Sequence, residues 1–67
     1  MNHYLSKRKN RRRAVKSIIR TLIQIQDIEL KYYLSLPDTA AYEVQQNESG
    51  YTVDALNEII DSLHYIF

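Results

Sequence analysis

The sequence predicts an all-α protein: a small helical bundle of a long helix, a short connecting helix and an antiparallel returning helix, completed by self-association. Three observations carry this expectation. Apolar residues recur at spacings of three and four from Val15 to Leu36 and again from Val53 to Phe67, which is the helical period. There is one glycine and one proline, so backbone breakers are confined to two places. With 67 residues and no cysteine, the chain buries only about 60% of its unfolded surface and has no disulfide or thiolate metal site to compensate. Association with another chain is then the common remaining source of stability.

The central helix is read over Ala14 to Leu36. Its apolar residues are Val15, Ile18, Ile19, Leu22, Ile23, Ile25, Ile28, Leu30, Tyr32, Tyr33, Leu34 and Leu36. At about 100° per residue they cover roughly two thirds of the circumference, leaving Lys16, Arg20, Gln24, Asp27 and Lys31 for the polar face. One neighbour needs a stripe only somewhat wider than about 100°. The excess assigns a protein interface to Ile18, Ile19, Ile23, Ile25, Ile28 and Leu30, with a homo-oligomer expected and a dimer favoured. A subset, Val15, Ile18, Leu22, Ile25, Tyr32 and Leu36, fits the a and d positions of a heptad, with Glu29 at an a position and Gln26 inside the apolar arc. Polar residues in such a seam cost stability but can fix register and partner number.

Ahead of the helix, Met1 to Asn10 has no clear periodicity. Lys7 to Arg13 then holds six positive charges in seven residues, which divides the chain into a basic arm, 1–13, and a single helical domain, 14–67. The net charge of +1 conceals a polarity along the chain. Residues 1–31 carry all nine Lys and Arg against Asp27 and Glu29, and residues 32–67 carry six acids and no Lys or Arg. Cations clustered along a helix form the electrostatic footprint of a nucleic-acid binder. The candidate contacts are Lys7, Arg8, Lys9, Arg11, Arg12, Arg13, Lys16 and Arg20.

Ser35-Leu36-Pro37-Asp38 ends the long helix, because proline disfavours helix at the residue before it. The same four residues match a capping box, with Ser35 capping a new helix and Asp38 bonding back. Over Thr39 to Asn47 a short helix on Ala40, Ala41 and Val44 is preferred to a hairpin pairing 42–44 with 51–53. Gly50 fits the left-handed position that ends such a helix, and Thr52 or Asp54 then caps the last one. Val53, Leu56, Ile59, Ile60, Leu63, Ile66 and Phe67 line one face, and Asp54, Glu58, Asp61 and Ser62 face away. In an antiparallel hairpin the end of this helix lies toward the basic arm.

The expectation is a non-enzyme with no catalytic residue, cofactor or metal. His3 and His64 are the only histidines, and Asp61 with His64 supplies two ligands where a metal site needs three or four. One glycine cannot build a phosphate-cradling loop, and no catalytic motif occurs. No apolar run approaches the roughly 18 residues of a membrane span, and no secretory signal is evident, so a cytoplasmic protein is expected. A helix-turn-helix over 39–63 is disfavoured, because Asp54, Glu58 and Asp61 would face base edges and phosphates. The resulting expectation is a small regulator that contacts nucleic acid through its basic arm and dimerises through its helices. The alternative is a modulator or inhibitor docking on a larger protein through its apolar long helix or its acidic last helix.

Overall fold

A computed structural model describes residues 3–66. Two helices dominate: α1, Arg8–Ser35, and α2, Glu43–Ile66, each preceded by one 3-10 turn, Tyr4–Ser6 and Ala40–Tyr42. No strand occurs among the described residues. The helices pack against each other as an antiparallel hairpin, 52 × 17 × 17 Å. Neither helix is long and apolar enough to cross a membrane.

The start of α1 has no side-chain cap, and basic residues occupy its first turn, where the helix dipole disfavours them. The preceding segment folds back instead. An Arg11 Nη1 donates to the carbonyls of Leu5 and Ser6, both at 2.9 Å, and the Ser6 hydroxyl donates to His3 O at 2.7 Å.

Helix α1 stops where the proline rule places its end. Leu36 is extended (φ −73, ψ 136), and its N–H donates to Tyr33 O. Ser35 does not cap a new helix, contrary to the capping-box expectation. It is the last residue of α1, and its hydroxyl donates to Tyr32 O at 2.7 Å, satisfying a carbonyl that the helix end would leave free. The turn is secured from the other side by Gln46, whose amide donates to Pro37 O at 2.9 Å.

The connecting and returning helices of the sequence reading are one helix. Helix α2 runs unbroken through Ser49, Gly50 and Tyr51, and Gly50 does not have a positive φ. The reason lies in the contact with α1. Ser49 is buried, and a Cβ placed on Gly50 would stand at ordinary contact distance, 3.6 Å, from the Tyr33 ring, so this stretch of α2 packs on α1. Packing along the whole helix outweighs the roughly 1 kcal/mol that glycine costs inside it. Thr52 is likewise interior, its hydroxyl bonded to Glu48 O one turn back, and so is not a cap.

The seam between the helices follows an alternating three-four spacing on both sides. From α1 come Val15, Ile19, Leu22, Gln26 and Glu29; from α2 come Gln46, Ser49, Val53, Leu56, Ile60 and Leu63. Relative to the expected heptad it is rotated, with Ile19 and Gln26 facing α2 in place of Ile18 and Ile25. Gln26 is accommodated because its amide donates to Val53 O at 3.1 Å. The core is thin: Ile19 and Ile60, each 6% exposed, are its only buried apolar side chains among the described residues. The α2 stripe is also split, because Ile59 and Ile66 stay exposed, and Phe67 lies outside the described residues.

Candidate nucleic-acid interface

Helix α1 begins at Arg8, so most of the basic run is helical, and the period of the helix sorts it. Lys9, Arg13, Lys16 and Arg20 fall at spacings of four, three and four on the solvent side, with Arg12 beside them. These five cations cover about 17 Å of helix at 1.5 Å per residue. All are exposed, and none forms an ion pair among the described residues. Farther along the same stripe, Lys31 Nζ pairs with Asp27 at 2.9 Å, an i,i+4 pair in open solvent that contributes little.

The other candidates differ in placement. Lys7 precedes the helix in extended backbone, and Arg8 opens its first turn. Arg11 is committed to the carbonyls of Leu5 and Ser6, so its guanidinium holds the preceding turn in place. That role was not legible in the charge pattern, because its acceptors are backbone atoms.

The electrostatics of the backbone add to those of the side chains. The positive end of the α1 dipole coincides with the cation cluster. Arg12 and Lys16 border a shallow cleft with Val15, Ile19, Leu63 and His64, which brings a third basic side chain, from the last turn of α2, to the same end. Asp38, Glu43 and Glu48 lie at the opposite end, around the turn. The charge polarity of the sequence becomes a polarity along the 52 Å axis.

The structure divides the expected apolar interface. Ile19 is buried in the intrachain seam, whereas Ile18, Ile23, Ile25, Ile28 and Leu30 are exposed. They lie on two flanks of α1: Ile18, Ile25 and Ile28 with Tyr32 on one, Ile23 and Leu30 with Leu34 on the other. Ile59 and Ile66 of α2, exposed as well, were missed as interface candidates. Their signal is the three-four spacing of Glu48, Thr52, Ala55, Ile59, Ser62 and Ile66, a second stripe beside the seam.

The arrangement defines a class, an elongated two-helix hairpin with a basic end and exposed apolar flanks. Comparison with protein-family models, curated proteins and solved structures returns no match to the chain.

Proposed function

We propose that this protein is a non-enzymatic, self-associating nucleic-acid binder that engages the phosphate backbone through the basic stripe of α1. The observation that carries the reading is the alignment of Lys9, Arg12, Arg13, Lys16 and Arg20 on one exposed face, without ion-pair partners among the described residues. Duplex DNA rises 3.4 Å per phosphate along each strand, so about 17 Å of helix matches roughly five phosphates of one strand. The proposal assigns the stripe to phosphate contacts, which position a protein on the duplex without reading its sequence, so weak sequence preference accompanies it.

The test is fluorescence anisotropy with a labelled duplex between 50 and 200 mM salt. Each phosphate neutralised contributes roughly −0.9 to the log–log slope, so five contacts give a slope near −4 to −5 and an affinity loss of several hundredfold across that range. Replacing Arg12, Arg13 and Lys16 by Ala is expected to reduce the slope by about three units. A wild-type protein that binds no duplex at 50 mM salt overturns the reading. That outcome would favour the second one, a modulator of a larger protein, which draws on Asp54, Glu58 and Asp61 spaced along the exposed side of α2.

A further inference from the structure

The two broad faces of the hairpin differ in what α2 contributes, since both carry exposed apolar residues of α1, Ile23 and Leu34 on one and Ile18, Ile25 and Ile28 on the other. On one, Arg12 and Lys16 of α1 share a cleft with His64 of α2, and Leu30 and Tyr33 share another with Gly50, Val53 and Asp54. Those contacts fix which flank of each helix lies on that face. The remaining flanks must therefore lie together on the other face: Ile18, Ile25 and Ile28 from α1 beside Ala55, Ile59 and Ile66 from α2. Ile18, Ile25 and Ile59 are each about half exposed, and Ile28 is 68% exposed. A single apolar face built by both helices lies uncovered.

We infer that a second copy of this chain covers that face, with the hairpins antiparallel and their turns at opposite ends of a four-helix bundle. This rests on the self-association in the reading above, and not on its nucleic-acid partner. Area is the first argument. The chain exposes 5463 Å², whereas a compact monomer of 8.0 kDa exposes roughly 4,500 Å². The excess, about 1,000 Å², matches the roughly 800 Å² per partner that a standard stable interface removes. Its radius of gyration, 16.1 Å, likewise exceeds the roughly 11 Å of a compact chain of this length.

Charge selects the orientation. A two-fold axis parallel to the rods would set two basic ends side by side, whereas a perpendicular axis sets each basic end beside the other copy's turn, with Asp38, Glu43 and Glu48. Glu48 belongs to the α2 stripe that borders the apolar face, and Glu29, half-buried, borders it from α1. The interface is isologous, so the same stripe meets itself reversed. Full overlap of the two rods puts the axis near Thr21 and Leu22, which brings Ile18 of one α1 opposite Ile25 of the other.

Light scattering on the full chain at 300 mM salt, without nucleic acid, tests the assembly. The expected mass is twice 8.0 kDa. Joint replacement of Ile25 and Ile59 by Lys is expected to give a helical monomer, while Ile23→Lys with Leu34→Lys, on the opposite flank, leaves a dimer. Cysteine cross-linking tests the orientation in near-native protein. Mixed Ile18→Cys and Ile25→Cys chains are expected to form a disulfide with each other, and neither variant with itself, because matched positions stand about 10 Å apart along the axis, beyond disulfide reach. A wild-type monomer, a dimer dissolved only by the opposite-flank pair, or self-pairing of each cysteine variant overturns the proposal. Loss of duplex binding with the dimer intact would count against the nucleic-acid reading alone.

Discussion

The side-chain amide of Gln26 donates to the backbone carbonyl of Val53, 27 residues away, at 3.1 Å. It is a polar clasp in the middle of an otherwise mainly apolar seam, and it marks the register in which α1 and α2 pack. A hydrogen bond of this kind contributes about 1 kcal/mol net, and leaving a donor without its partner costs more than replacing it by an apolar group. Gln26→Ala is expected to lower stability by about 1–2 kcal/mol, counting the packing lost with the side chain. Gln26→Leu is expected to be neutral or stabilising, since the Val53 carbonyl keeps its place in the α2 ladder. Urea melts at one fixed protein concentration separate the two, and equal losses from both would show that the amide hydrogen bond, and not the packing of the side chain, supplies the stability.

Gly50 provides a test of the continuous α2. It has no positive φ, and an added Cβ would make ordinary contact with the Tyr33 ring at 3.6 Å. Gly50→Ala is therefore expected to raise stability by about 0.5–1 kcal/mol, the gain of removing glycine from a helix interior. A helix that ended there in a left-handed residue would respond with a loss. The sign of the change in a thermal melt decides between the two backbones.

The thin core concentrates stability in two side chains. Ile19→Ala and Ile60→Ala each remove a buried branched side chain and are expected to cost about 2–4 kcal/mol. For a chain this small that is a large part of the total. Far-UV circular dichroism should register a lost or markedly broadened transition in either variant. A change under 1 kcal/mol would mean that the seam does not hold the hairpin.

Arg11 and Arg13 are two residues apart and are expected to behave differently. Arg13 points its charge to solvent, and Arg13→Ala should reduce the salt slope of duplex binding by about one unit. Arg11 is bonded to the carbonyls of Leu5 and Ser6, so Arg11→Ala should reduce the slope less and release the Tyr4–Ser6 turn. Amide hydrogen exchange near Ser6, whose N–H donates to His3 O, provides the readout. Unchanged protection there would indicate that Arg11 does not hold the turn.

Much of the fold was legible because it depended on local chemistry. The end of α1 follows from Pro37 acting on Leu36, and the antiparallel return follows from two amphipathic stretches joined by a short turn. Gly50 misled for the opposite reason. The helix continues through it because α2 packs along α1, whose Tyr33 ring lies beside Gly50, and that contact is distant in sequence and invisible to local propensity. The choice of Ile19 and not Ile18 for the seam has the same origin. Both are apolar and adjacent, about 100° apart on the helix, and only the matching stripe of α2 selects between them. The basic cluster was legible as charge, while the separate use of Arg11 was not.

The short turn at Leu36–Thr39 has a consequence for how quickly the chain finds its shape. Each helix can form from local contacts on the microsecond scale or faster, and bringing two rods together across so short a connection carries a small closure entropy. Zippering of one hairpin is then a unimolecular event that dilution does not slow. In the proposed dimer, the meeting of two hairpins is bimolecular, and its rate falls with dilution. Rapid-mixing refolding of this protein should accordingly resolve into a fast phase indifferent to protein concentration and a slower one proportional to it.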